Sequence, residues 1–316
     1  MTAGRPAAAR TAPKHPTDKP MTTYPTLAAM IAAQPADAVA LLAGARAPLH
    51  YGELARLVTR TTRQLRALGL ARADRVALVL DNGPEMACAF VAVASTCCAA
   101  PLNAAYRAEE FAFYLSDLGA RALIVAQGSD SAAIAVARER GIPVLELQAH
   151  ADAGAGDFSL HADAPAANVA EAAEVAAAAA DVALILHTSG TTSRPKIVPL
   201  SHANLCASAR NISRSLRLVP ADCGLHVMPM FHIHGLIAGL LAPMAVGSRI
   251  FCTPGFNALR FFGWLRESRA SWYTAVPTMH QAILARSRHN LDVIREHPLR
   301  FMRSSSSSMP PQVIHE

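Results

Sequence analysis

Between residues 188 and 196 the chain crowds Thr188, Ser189, Gly190, Thr191, Thr192, Ser193, Arg194, Pro195 and Lys196 into one stretch. Hydroxyls, backbone N–H groups and an ammonium are the partners a polyphosphate needs, and Gly190 would let the backbone come close to it. The stretch follows Asp181-Val182-Ala183-Leu184-Ile185, a short apolar run with the character of a buried strand. Strand ends are where α/β sheets present their ligand sites. Clusters of Ser, Thr, Gly and Pro are also ordinary polar turns, so the loop by itself leaves both readings open. One nucleotide-binding class is disfavoured. A Walker A loop sets Gly directly before Lys and Ser or Thr directly after it, whereas here Pro195 precedes Lys196 and Ile197 follows.

Three further stretches hold residues able to do chemistry. Met228-Pro229-Met230-Phe231-His232-Ile233-His234-Gly235-Leu236 joins an aromatic–His pair to a glycine. With His226 these histidines could be metal ligands, but no nearby Cys or carboxylate completes a closed set, so zinc is disfavoured and no metal site is assigned. Structural histidines are the simpler reading of His226 and His234. Trp272-Tyr273-Thr274-Ala275-Val276-Pro277-Thr278 reads as a strand and turn, and Leu299-Arg300-Phe301-Met302-Arg303-Ser304 as a strand that runs into Ser304–Ser308. A serine run is ordinarily a flexible linker.

In this order, the four stretches resemble the motifs of the adenylate-forming superfamily, which includes acyl-CoA synthetases, adenylation domains and luciferases. TTSRPK and WYTAVPT look most like oxalate–CoA ligase. The resemblance implies a two-step reaction, in which a small-molecule carboxylate attacks the α-phosphorus of ATP and coenzyme A then takes the acyl group. ATP, Mg²⁺ and coenzyme A are the cofactors it implies. Thr188, Ser189, Gly190, Thr191, Thr192 and Lys196 would bind the phosphates, with Lys196 a point charge on the β/γ-phosphates. His232 would stand at the aromatic gate between the ATP and acyl sites, making it and Lys196 the catalytic candidates. His232, Gly235, Val276 and Pro277 would line the acyl pocket, though a core role suits the last two equally. Ser305, Ser306 and Ser307 would form the adenine loop.

Two departures from the family pattern stand out. Ile197 occupies a position that is normally Gly; were φ positive there, a β-branched residue would cost roughly 1–3 kcal/mol and Ile197→Gly would restore nucleotide affinity. The family's later motifs, including its Mg²⁺-handling acidic motif and its C-terminal adenylation lysine, have no counterpart up to Glu316. A truncated N-terminal portion of the large adenylate-forming domain, poor at adenylation alone, is therefore expected; a catalytically inactive remnant with weak nucleotide binding is the alternative.

The elements that must position these residues alternate. Apolar residues at helical spacing run from Tyr51 to Leu68 and stop at Gly69. Strand patterns at 75–80, 122–125 and 142–147 are interleaved with helix patterns at 85–97 and 109–118. The apolar run Met86–Ala100 reads as one buried helix, too short for the about 20 residues a bilayer needs. After an Ala-, Asp- and Gly-rich stretch, strands are expected at 182–187, 224–228, 249–251, 272–275 and 299–303, with helices at 203–214, 235–245, 258–268 and 278–286. The fold class is α/β, with two parallel or mixed sheets flanked by helices. The expected organisation is a disordered tail at 1–24, a first subdomain at 25–147, a linker at 148–180 and a second subdomain at 181–316.

Composition excludes other classes. The net charge is +6, but residues 1–20 carry Arg5, Arg10, Lys14 and Lys19 against Asp18, which is half of it. The remainder forms no basic, aromatic-rich stripe, so nucleic acid is not an expected partner. That tail has the composition of a transit peptide, but a disordered extension or a start at Met21 is the plainer reading. Six cysteines in mostly apolar runs, with no secretory leader and no CxxC, point to reduced thiols in the cytoplasm. Oligomeric state leaves no signature.

Overall fold

The computed structural model describes residues 22–162, 176–188 and 195–315. Thirteen strands form two mixed sheets. One is six-stranded and built from β1 (Val39–Leu42), β2 (Leu49–His50), β10 (Cys223–His226), β11 (Arg249–Cys252), β12 (Trp272–Ala275) and β13 (Phe301–Ser304), in the order β13-β12-β10-β11-β1-β2. The other is seven-stranded and built from β3 (Arg75–Val79), β4 (Cys98–Pro101), β5 (Ala122–Ala126), β6 (Val144–Ala149), β7 (Phe158–Ala162), β8 (Val182–Thr188) and β9 (Lys196–Ser201), in the order β7-β6-β5-β3-β4-β8-β9. Pairing is parallel inside both sheets and antiparallel only at β1–β2, β6–β7 and β8–β9. Val and Ile runs such as Arg75–Val79, buried beyond their first residue, suit such double-sided burial.

The halves of the chain do not own a sheet each, so the division at 148–180 does not coincide with the sheets. β1 leaves the first half to pair with β11 (Leu41↔Ile250), and β8 leaves the second half to pair with β4 (Ala99↔Leu184). β7 lies inside the stretch expected to be a linker. The largest buried cluster accordingly contains Leu41, Ile250 and Cys252 of one sheet together with Leu78, Ile124 and Leu184 of the other. Helix Pro84–Ala94 belongs to this cluster and is buried on nearly every side, Glu85 excepted.

Local rules account for most element ends. Helix Tyr51–Ala67 buries Leu54, Leu57, Val58, Thr61 and Leu65 along one stripe, and Glu53 accepts a hydrogen bond from the His50 N–H at 2.8 Å to cap its start. Helix Ala108–Leu118 ends where Gly119 adopts φ +56°. The run Met86–Ala100 is not one helix. It turns after Ala94 and its last residues become β4, because an all-apolar run carries no periodicity to separate buried helix from buried strand. All six cysteines are buried and free of disulfides, and burial raises their pKa values. Among the described residues no helix is long and apolar enough to cross a membrane.

Ile197 corrects the expectation placed on it. It is the second residue of β9, opposite His187, and does not have positive φ. Its half-buried side chain packs on the cluster that contains Ile185 and Val125. Ile197 is thus a strand-forming, core-contacting residue. Ile197→Gly is therefore expected to lower stability by about 1–3 kcal/mol, from lost burial and added chain entropy, rather than to repair a strained loop. Urea denaturation of both proteins checks this; an unchanged midpoint contradicts it.

Candidate active site

β10, β12 and β13 are parallel neighbours, so the segments that follow them leave the sheet on one side. After β10 come Met228–Phe231 and then His234; after β12 come Val276 and Pro277; after β13 comes the serine run. Side chains of β12, β13 and the serine run meet at His234. Its Nδ1 lies 3.1 Å from Ser306 Oγ, and its Nε2 lies 2.6 Å from Thr274 Oγ1 and 3.1 Å from Arg303 Nη1. Arg303 also donates to Thr274 Oγ1 at 3.1 Å and to Ser305 Oγ at 3.2 Å. A guanidinium can only donate, so Nε2 must accept and Nδ1 carries the proton that is given to Ser306. Burial, with the Arg303 charge next, holds the His234 pKa down at about 4, so the ring is neutral at neutral pH.

The backbone around His234 is unusual. Residues His234–Leu241 form a π-helix, which passes into a short α-helical turn at Ala242–Met244, where a single α-helix over 235–245 is expected from the sequence. Such wide turns are rare and recur at functional sites. Two glycines permit the packing. A Cβ on Gly235 would sit 2.2 Å from the Pro229 carbonyl oxygen, and one on Gly239 would sit 2.7 Å from His226 Nε2. His226, fully buried, donates from Nε2 to the Gly235 carbonyl at 3.0 Å, and burial lowers its pKa as well. Ser306 holds φ +77°, a left-handed conformation that costs a serine roughly 1–3 kcal/mol. The His234 hydrogen bond to its hydroxyl is what the surroundings offer against that cost.

The other expected residues divide. Thr188 ends β8 and Lys196 begins β9; both are exposed, and they are Cα partners in the antiparallel register. Ser189, Gly190, Thr191 and Thr192 lie outside the described residues. His232 is exposed with its ring on Phe231 at 4.4 Å between centroids, an environment that still lowers its pKa through desolvation. Val276 is half-buried against the core of the six-stranded sheet, and Pro277 opens the helix Pro277–Ser287. Ser305 is half-buried; Ser306 and Ser307 are exposed. Among the described residues no group of three His, Cys, Asp or Glu could hold a metal ion.

Thr274, Arg303 and Asn82 belong to the site and were not assigned roles from the sequence. Asn82, in the turn after β3, donates to the Met228 carbonyl at 3.1 Å and accepts from the Met230 N–H at 2.8 Å. It thereby ties the loop after β10 to the opposite sheet, beside a cleft of about 240 Å³ lined by Met86, Leu102, Asn103, Pro229, Met230 and Phe231. No spacing rule links residue 82 to residues 228–230. Arg303 sits in a recognisable strand, but alternation along a strand cannot tell an anchored guanidinium from an exposed one.

Residues 28–316 match the family described as AMP-binding enzyme. The chain belongs to that family. It is 39% identical over 288 residues to the probable CoA ligase CCL9 of Humulus lupulus, covering 90% of this chain and 54% of that protein. It is 39% identical over 283 residues to an oxalate–CoA ligase of Arabidopsis thaliana, covering 88% and 54%, and 34% identical over 266 residues to an oxalate–CoA ligase of Saccharomyces cerevisiae, covering 78% and 48%. The chain thus spans about half the length of the curated relatives it matches. Among solved structures, ATP-bound MatB from Rhodopseudomonas palustris superposes with a TM-score of 0.75 at 26% identity, covering 91% of this chain and 56% of that one. The inhibitor-bound N-terminal domain of FACL13 from Mycobacterium tuberculosis gives 0.72 at 25%, covering 92% and 72%.

The neutral state of His234 has a thermodynamic signature. An imidazole of pKa about 4 when folded and about 6.5 when unfolded favours the folded state above pH 6.5. Its contribution is lost as pH falls through that window toward 4, because the unfolded chain takes up the proton first. The urea midpoint is expected to fall from pH 7 to pH 5, with a shallower fall in His234→Gln. In an NMR titration the His234 ring signals should stay neutral at pH 5.5; a midpoint near 6.5 contradicts the assignment.

Proposed function

We propose that the chain is the nucleotide-binding portion of an AMP-forming acid–CoA ligase acting on a small carboxylic acid such as oxalate. In the proposed first step, a carboxylate oxygen bonds to the α-phosphorus of ATP as the bond to pyrophosphate breaks, giving an acyl-adenylate. In the second, the coenzyme A thiolate adds to the acyl carbon and AMP departs. Such transfers depend on in-line positioning and on dispersal of charge, more than on covalent help from the protein.

The observation that carries this reading is the pairing of Thr188 with Lys196, where β8 ends and β9 begins. That register sets a hydroxyl-bearing and an ammonium-bearing residue side by side. The segment between them supplies Ser189, Gly190, Thr191 and Thr192 by sequence. In the proposal these groups hold the triphosphate, with Lys196 on its outer phosphates. Ser305–Ser307 take the adenine, where small residues allow backbone contacts. His232, exposed and tilted against Phe231, forms the gate toward the acid in this proposal; Gly235, Val276 and Pro277 lie on the acyl side. Mg²⁺ would be held chiefly through the phosphates and water, as this ion usually is. The names of the relatives, oxalate–CoA ligase among them, support the choice of a short acid.

Titration calorimetry tests the reading. The 316-residue chain is expected to bind ATP, and Lys196→Ala to weaken binding about tenfold, the loss of about 1.4 kcal/mol of charge-assisted bonding. Absence of ATP binding, or equal affinity in the variant, refutes it. Because the chain spans about half its relatives' length, carboxylate-dependent pyrophosphate exchange by it alone is expected to be undetectable.

A further inference from the structure

Among the described residues Arg303 has no acidic partner within ion-pairing distance, and the hydrogen bonds of its guanidinium go to His234, Thr274 and Ser305, all neutral. The side chain is half-buried, and desolvation lowers its pKa. Taking a guanidinium out of water without an opposing charge is costly, so proteins ordinarily pair it. Asp222 shows the ordinary solution in this same fold, taking Arg300 Nε at 3.0 Å and Arg300 Nη2 at 2.6 Å. Two residues separate the two arginines, and among the described residues only Arg300 has its counter-charge.

The three neutral contacts orient Arg303 without neutralising it. They occupy both Nη1 protons and one Nη2 proton, which leaves Nε–H and the second Nη2–H with no protein partner among the described residues. Two such N–H groups on one planar fork match a carboxylate bidentately. His234 cannot supply the missing charge, since its ring is neutral. The exposed Ser306 hydroxyl, held by His234 Nδ1, adds a polar group to the same rim.

We infer that Arg303, braced by His234, Thr274 and Ser305, is the anchor for the far carboxylate of a short dicarboxylic acid. The inference rests on the ligase reading above and deepens it by naming the substrate class. Arg303 directly precedes the serine run proposed to hold the adenine. An acid anchored there must be short if its other carboxylate is to reach the α-phosphorus. A monocarboxylate of equal length leaves the guanidinium unpaired, and such a mismatch disfavours it more than a missing apolar contact would.

The test compares oxalate with glyoxylate, equal in length but uncharged at the far end. Binding of each to the 316-residue chain is followed by ¹³C NMR line broadening, with ATP affinity measured on the same samples. Wild type is expected to prefer oxalate at least tenfold, and Arg303→Met to reduce the preference to under twofold, a ratio of the two acids that a general loosening of the site leaves unchanged. Arg303→Gln, which retains hydrogen bonding without charge, carries the test if the Met variant does not fold. A wild type without preference, or a folded variant that retains it, overturns the anchor and leaves the ligase reading intact. An Arg303-dependent oxalate preference without ATP binding supports the anchor and sinks the ligase reading instead.

Discussion

Two pairings between distant strands hold this structure in one piece. β1 reaches across more than half of the chain to β11, and β4 reaches across the Ala-rich stretch to β8. Without the first, the six-stranded sheet loses the edge formed by β1 and β2. Without the second, the segment bearing Thr188 and Lys196 has no sheet to end on. Each half of the chain therefore completes the other's sheet, and the cluster around helix Pro84–Ala94 is buried only when both are in place. Contacts of such long sequence separation must offset large loop-closure entropy, which makes slow, all-or-none assembly the expectation for this topology.

The polar cluster at the ends of β12 and β13 relies on that scaffold. Three side chains, Thr274, Arg303 and Ser306, lie within hydrogen-bond distance of His234, and one of their backbones, at Ser306, is held in a costly conformation. A network of this kind gains little net energy from any single bond. Its value is orientation. Arg303 is a long side chain with much rotamer freedom to lose, and donation to both Thr274 and His234 removes most of that freedom before any ligand arrives. The low pKa of His234 follows first from burial and then from the same geometry: a protonated ring would face the guanidinium and lose its ability to accept from it. His280 extends the bracing, since it takes the Tyr273 hydroxyl at 2.9 Å and donates to the Arg303 carbonyl at 3.2 Å.

Much of the fold was legible because the physics behind it is local. The alternating patterns at 75–80, 122–125 and 272–275 mark true strands, and the stripe from Tyr51 onward marks a true helix. Failures cluster where local pattern carries no information. Cys98–Pro101 is as apolar as the helix before it; Lys196–Ser201 contains Pro199 and reads as loop, yet it forms a strand, and a proline is tolerated there because β9 is an edge. The presence of β7 within 148–180 has the same origin. Composition changes there, but strand exchange between halves is a property of pairing partners, which no window of sequence contains. At the site, Lys196, His232, Gly235 and the serine run stood out through residue type and order. Thr274 and Arg303 acquire meaning only when β12 and β13 lie side by side in register, Thr274 opposite Arg303.

That register also bears on how substrate geometry is controlled. Thr188 and Lys196 belong to the seven-stranded sheet, and the Arg303 cluster to the six-stranded one. An acid anchored by Arg303 and a triphosphate held beside Lys196 would thus be positioned by different sheets. Their relative placement is set by what lies between the sheets: the buried helix Pro84–Ala94, the cleft beside it and the Asn82 hydrogen bonds to Met228 and Met230. Reactive atoms tolerate little misplacement; an error of about 1 Å can cost about a hundredfold in rate. Close-packed interiors transmit strain instead of absorbing it. Asn82, which touches neither proposed ligand group, is therefore placed to govern the distance between them, because it is the polar link between the turn after β3 and the loop that leads to both His232 and His234.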